Sequence, residues 1–308
     1  MIAAVPAVCR MSLFALQLLA VETGGREIAF SYDDSPRPDT AIMNADARTN
    51  ALIAGLAEAG IEGSAFFVVT DRIDADGARR LRHYAAAGHF LANHTASHAN
   101  LHTVGSEAFL DQVRAADVIL KEFDGFRPWL RFPYLNHGAD IAQRDAVRYG
   151  LADMGYSIGY VTIDNFDFYL DGLANDAVAA GLGIDWDGLR DLYVTMLADA
   201  ADHYDRIARR HLGRSPRHVL LLHENDLAAM FSDDLARELR ARGWTIISAE
   251  RAYSDSIAEA EPETLSLGQG RVAALAHAAG APEEGLRSPM ESAEWLRTTF
   301  AALVTEQR

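Results

Sequence analysis

Residues 27–36 read Glu27-Ile-Ala-Phe-Ser-Tyr-Asp-Asp-Ser-Pro36. This is an apolar run of strand length that ends on two adjacent carboxylates and a Ser-Pro turn. The same pattern recurs along the chain. Further runs of strand type lie at Ser64–Val69, Phe90–Asn93, Trp129–Phe132, Tyr156–Ile163, His218–Leu222 and Trp244–Ile247. Between them, apolar residues at three- and four-residue spacing predict helices over Asp46–Ala59, Ala75–Ala87, Ser106–Phe123, Asp140–Met154, Trp186–Leu212 and Ser232–Arg242. Several of these close on a glycine placed as a C-cap, such as Gly60, Gly88, Gly155, Gly213 and Gly243. Strand alternating with helix predicts βαβ units and a parallel sheet. About seven such units in roughly 225 residues are more than an open sheet commonly holds, so the expected fold class is α/β, as a closed or nearly closed barrel.

The rhythm breaks twice. Asp171–Asp185, rich in Gly, Asp and Ala, reads as a lid-like insertion between a strand and the longest helix. After Ser254 the chain turns Ala/Glu-rich, punctuated by Pro262, Gly268, Gly270 and Pro282, and reads as two appended helices. The expected organisation is a barrel over residues 22–254 and an appended C-terminal helical segment over 255–308. Residues 11–21 are a short apolar stretch behind Arg10, with small Ala20 as a cleavage position. These are the parts of a signal peptide over residues 1–21, which predicts a periplasmic or secreted protein. A mature segment packed on the domain, or a start at Met11 in a cytoplasmic protein, are the alternative readings. The stretch is too short to span a bilayer.

Composition narrows the function classes. At 308 residues with 49% hydrophobic and 23% charged residues, the chain has ordinary globular usage, which excludes disorder, collagen and a multi-span membrane protein. The net charge of −16 repels polyanions, so nucleic acid is not expected as a partner. Cys9 is the single cysteine, which excludes an intramolecular disulfide framework and a multi-cysteine metal site. A metal would need histidine and carboxylate ligands.

Such residues fall at the C-terminal ends of the expected strands. Asp33 and Asp34 follow the first, His94 and His98 the third, Arg131 ends the fourth, Asp164 and Asp167 follow the fifth, and His223 ends the sixth. In a barrel of parallel strands these ends share one face, where catalytic residues gather. Two imidazoles four residues apart on a helical turn point the same way and can share a metal. Asp34 adds a third ligand and leaves a position for water, the pattern of a hydrolytic site. Consecutive residues of an extended segment point to opposite sides, so one of the two acids can hold the metal while its neighbour serves as base. Arg131 offers a guanidinium fork for that base, or an ordinary rim ion pair. His223, emerging from the buried run Val219-Leu-Leu-Leu-His223, is either a packed histidine or a general acid whose tautomer Asp167 sets.

Five segments together resemble the polysaccharide deacetylases, carbohydrate esterase family 4, also known by their nodulation-type chitooligosaccharide deacetylase domain. They are Phe30-Ser-Tyr-Asp-Asp-Ser-Pro36, Asn93-His-Thr-Ala-Ser-His98, Arg131-Phe-Pro-Tyr134, Asp164-Asn-Phe-Asp-Phe168 and Leu221-Leu-His223, in the family's order. The resemblance implies a distorted (β/α)7 barrel and metal-dependent removal of acetyl groups from sugars, N-acetyl groups foremost. It implies Asp33 as base, Asp34, His94 and His98 as metal ligands, and Arg131 as the tether of Asp33. The backbone N–H of Tyr134 would face the oxyanion, His223 held by Asp167 would be the acid, and Phe168 and Leu221 would line the acetyl-methyl pocket. Zinc is the implied metal, with cobalt, manganese and nickel compatible with the same ligands. The implied partner is an acetylated glycan or a small glycoside. Three departures stand out: Ser35 in place of glycine, Phe168 in place of tryptophan, and Asn136-His137 where a Gly-rich loop is common. A hydrolase of a non-sugar amide or imide on the same fold, and an inactive glycan-binding relative, are the competing readings.

Overall fold

The computed structural model describes residues 25–265 and 268–305, so the expected signal peptide lies outside the described residues. In chain order the elements are β1 (Arg26–Ser35), α1 (Ala45–Glu58), β2 (Ala65–Val68), α2 (Ala75–Ala86), β3 (Phe90–Asn93), α3 (Leu101–Val104) and α4 (Ser106–Leu120). Next come β4 (Phe126–Leu130), α5 (Ile141–Asp153), β5 (Ser157–Ile158), α6 (Asp167–Ala179), β6 (Gly183–Ile184) and α7 (Trp186–Leu212). The chain ends with β7 (Arg217–His223), α8 (Asp226–Ala241), β8 (Trp244–Ile246), α9 (Ala249–Tyr253), α10 (Arg271–Ala278), α11 (Ala293–Ala301) and β9 (Val304–Thr305).

The main sheet is parallel and runs β5-β4-β3-β2-β1-β7, with β8 paired to the start of β1. This is the nearly closed barrel that the alternation predicted, in the curled, distorted (β/α)7 form that the resemblance implied. β1 pairs with β2, β7 and β8 and is packed on both faces, which is why Ile28, Ala29, Phe30 and Tyr32 are all buried in a near-continuous apolar run. Five of the helices outside it are started by side-chain caps of one kind. Asn44, Asp74, Asp140, Asp185 and Asn225 each accept the N–H three residues on, satisfying a donor the first turn leaves open.

The expected strand Tyr156–Ile163 is divided between two neighbours. Ser157 and Ile158 pair with Trp129 and Leu130 of β4, whereas Ile163 bridges Leu220 of β7. The crossing occurs at Gly159, where an added Cβ would stand 2.5 Å from the Phe67 ring. The barrel therefore closes at a seam, and the C-terminal residues cover it. The N–H of Arg271 donates to Val161 O at 2.7 Å, and Gly270 packs against that same backbone. Val272, Ala273, Leu296 and Phe300 share the barrel's core.

Asp171–Asp185 is not a lid-like insertion. Most of it is α6, whose Leu170, Ala174 and Ala177 form a buried stripe, and β6 pairs antiparallel with β9. Asp171 is buried and accepts the backbone N–H groups of Asp226 and Leu227 at 3.0 and 3.2 Å. With Asn225 as its cap, α8 thus starts six residues before the expected Ser232.

Candidate active site

The C-terminal strand ends converge on a cavity of about 420 Å³, large enough for a sugar unit. Asp33, Asp34, His94, His98, Tyr134, Asp164, Phe168, Leu221 and His223 line it. Four of its lining residues, Asp34, His98, Tyr134 and Leu135, together with Thr95, take positive φ without being glycine. Such strained backbone gathers at functional sites, because only the surrounding structure holds it in place. The positive φ of the first turn falls on Asp34, so Ser35 occupies its position without a glycine-like conformation.

His94 and His98 do not sit on a helix. The segment is a loop, and the turns at Thr95 and His98 bring the two rings to 4.8 Å between centroids. Asn93 shapes it: its Oδ1 accepts the Thr95 N–H, while its Nδ2 donates to Val113 O and Tyr156 Oη. His94 Nδ1 lies 2.8 Å from Arg131 O, so that nitrogen carries the proton and Nε2 keeps its lone pair. Burial lowers both imidazoles to about 4, which keeps them neutral at physiological pH.

Ligand atoms of Asp34, His94 and His98 lie within 4.8 Å of one another. Asp34 Oδ1 is a buried oxygen that accepts no hydrogen bond, with Arg72 Nη1 at 3.2 Å and His98 Nε2 at 3.5 Å. Burial pushes the Asp34 carboxyl up, but the field of His223, His94, His98 and Arg72 outweighs it and holds the group well below the usual carboxylate range. An unsatisfied carboxylate oxygen beside two neutral imidazoles is a donor set that fits a divalent cation.

Asp33 is buried behind this cluster. Its Oδ1 accepts from Arg131 Nη1 at 2.7 Å, and its Oδ2 is 3.6 Å from His94 Nε2. Burial raises its pKa even against the Arg131 guanidinium. Arg131 stays outside the cavity as a brace. It donates to Ser31 Oγ and Tyr253 Oη at 3.1 and 3.0 Å and to Gly159 O, and its guanidinium lies over the Phe67 ring.

On the adjacent strand β7, in register with Asp33, His223 Nδ1 is 2.7 Å from Asp167 Oδ1, and Asp167 Oδ2 accepts from the His223 N–H and Asn225 Nδ2, both at 2.9 Å. Burial alone would lower His223, but Asp167, with Asp33 and Asp34, raises it to about 9. Its ring meets Phe168 at 5.4 Å, and Leu221 is buried beneath. Tyr134 and Phe168 are exposed at the rim, and the Tyr134 ring packs on His98 at 4.5 Å. His137 turns away to stack on Phe132 and lines a separate small cavity behind Arg131.

Sequence reasoning assigned nothing to Ser31 and Tyr253, which hold Arg131, or to Asn165 and Asn225, which hold Asp167 by its backbone N–H and its Oδ2. Nor did it single out Arg37, which lines the cavity wall. Only Arg37 carried a local signal, as a cation three residues past the acid pair.

Residues 20–158 match the family model described as polysaccharide deacetylase. The chain is 30% identical over 147 residues to a chitin deacetylase of Colletotrichum lindemuthianum, covering 46% of this chain and 52% of that protein. It is 30% identical over 104 residues to a probable peptidoglycan-N-acetylglucosamine deacetylase of Arthroderma benhamiae, covering 33% and 22%. The chain thus spans about half the length of the first curated relative and less of the second. The solved chitin deacetylase from Colletotrichum lindemuthianum superposes at a TM-score of 0.53 and 20% identity, over 80% of this chain and 93% of that one. At that identity the likeness shows the fold alone. Residues 20–158 are thus similar to the polysaccharide deacetylases, and the motif residues of that segment, Asp33, Asp34, His94, His98 and Tyr134, gather on one cavity.

Proposed function

We propose that the chain is a metal-dependent hydrolase that removes acetyl groups, N-linked ones foremost, from a polysaccharide, oligosaccharide or small glycoside. The observation that carries this reading is the Asp34–His94–His98 cluster beside the Asp33–Arg131 pair, with the His223–Asp167 pair at the end of the neighbouring strand β7. A bound divalent ion, zinc in this reading, with cobalt, manganese or nickel suited to the same donors, would lower the pKa of a water and polarise the acetyl carbonyl.

The chain's own residues supply the rest. Asp33, oriented by Arg131, takes a proton from the attacking water. The backbone N–H of Tyr134 faces the charge that develops on the carbonyl oxygen. His223, charged through Asp167, gives its proton to the departing sugar nitrogen, so acetate and a free amine leave. Phe168 and Leu221 bound the space for the acetyl methyl. The reading of residues 1–21 as an export signal belongs to this proposal, and N-terminal sequencing of the protein from its own cells tests it.

The test is acetate release from a panel of N- and O-acetylated glycans by the purified protein as isolated, after chelation, and after add-back of single metals. Release that chelator abolishes and one metal restores supports the proposal. No release despite stoichiometric bound metal points to a non-sugar amide or imide. Failure to bind any metal points to a glycan-binding relative.

A further inference from the structure

Arg37 stands on the wall of the same cavity, three residues past Asp34, and its backbone is fixed on both sides. Its N–H donates to Glu224 Oε2 at 2.9 Å, and its carbonyl accepts from Arg48 Nη2 at 2.9 Å. The side chain is held far less. The nearest carboxylate is Asp171 Oδ2 at 3.9 Å, beyond hydrogen-bond reach. Asp171 is already engaged, since Oδ1 accepts two backbone N–H groups and Oδ2 faces Asn175 Nδ2 at 3.3 Å. Among the described residues, no acceptor lies within hydrogen-bond reach of the Arg37 guanidinium.

Of the other charged groups around the cavity, Asp164 is buried beside Glu291, where burial and that second carboxyl raise its pKa, and the rest are matched. Asp33 is paired with Arg131 and Asp167 with His223, each at 2.7 Å, and Asp34 belongs to the metal cluster. Arg72, the other arginine near the acid pair, donates to Asp34 O at 2.9 Å. Arg37 is the cation whose fork remains open toward the space a substrate enters. A half-buried guanidinium with open donors matches a planar carboxylate in two-point geometry.

We propose that Arg37 is a specificity residue that grips a carboxylate of the substrate, so that the preferred glycan carries an acid group on or beside its acetylated sugar. The inference rests on the deacetylase reading of this cavity. The carboxylate has two chemical sources, a neighbouring hexuronic acid unit or a carboxyalkyl ether on the acetylated sugar itself.

The experiment compares acetate release from acetylated oligosaccharides of both kinds with the same oligosaccharides after reduction of the carboxyl to an alcohol. The expected kcat/KM on one acidic substrate exceeds that on its reduced counterpart by about tenfold or more. The difference resides in KM and shrinks with added salt. Arg37→Gln brings the ratio close to one, and Arg37→Lys keeps part of it. The substrate that shows the Arg37-dependent gain identifies the source. A ratio near one in the unsubstituted protein, or one that survives Arg37→Gln, overturns the inference and leaves the deacetylase reading standing. No release from any substrate by the metal-loaded protein overturns that reading and this inference together. The ratio in the unsubstituted protein decides even where a variant fails to fold.

Discussion

Asp167→Asn tests the proton donor more sharply than removing His223 itself. Asp167 is fully buried, and its Oδ2 accepts two N–H groups, from His223 and Asn225. An asparagine amide must turn its oxygen to that side, which puts its NH2 against His223 Nδ1. The ring can then meet it only with a lone pair, so the neutral tautomer reverses. The charge also goes. Burial is the largest influence on His223 and acts downward, and only Asp33 and Asp34 then oppose it, so without the Asp167 carboxylate its pKa drops from about 9 toward its ordinary 6.5. At pH 7.5 the protonated fraction would fall from nearly all toward about a tenth, and kcat with it.

The pH profile gives the sign. A group whose folded pKa is raised acts as a donor until pH passes that value, so activity falls through about pH 9 in the parent and at a pH shifted down toward 6.5 in the variant. Stability follows the same window. The pair's contribution, roughly 3 kcal/mol for a rise from 6.5 to about 9, is present below pH 6.5 and lost as pH rises through 9. Acetate release from pH 5.5 to 10 on metal-loaded protein, with thermal melts at both ends, reads both effects. An alkaline limb that stays in place, with a melting gap that does not narrow at pH 10, would refute the assigned role of His223 and Asp167.

Three further outcomes follow from other contacts. Asp33→Asn should abolish turnover while the protein keeps its metal, whereas His94→Ala should lose the metal itself; metal analysis beside the acetate assay separates the two, and equal loss of metal in both counts against the division of labour. Arg48→Met removes a fully buried cation that pairs with Asp226 at 3.0 Å and holds the carbonyls of Arg37 and Pro38. It should cost about 3 kcal/mol or more in urea melts, because it strands a buried carboxylate. Gly159→Ala forces a methyl to within 2.5 Å of Phe67, at a residue whose carbonyl accepts from Arg131. A loss of about 1–3 kcal/mol, together with a fall in kcat, is expected.

The chemistry-bearing residues were legible in the sequence because each strand is short and apolar and ends abruptly in a polar residue, so its C-terminal end is marked. What escaped is non-local. Tyr253 is 122 residues from the Arg131 it holds, and no spacing rule connects them. α6 passed for loop because Gly172, Asp171 and Asp176 lower its helix propensity, and Asp171 is there to cap a different helix. The strand Tyr156–Ile163 has the right residues but cannot reveal that it changes neighbours midway. The imidazole pair was expected from helical spacing, and a loop with two left-handed turns achieves the same approach.

The seam at Gly159 separates two kinds of information in the chain. Residues 30–223 carry every group assigned to the reaction, while the open backbone at Val161 is closed by Arg271, and Gly268 from the same C-terminal stretch reaches the cavity wall. Truncating the chain before residue 268 would leave the motifs intact yet uncover the side of the barrel where Arg131 is braced. The C-terminal stretch is therefore a place where sequence can vary the shape of the entrance without touching a reacting group, while its deletion would open the seam.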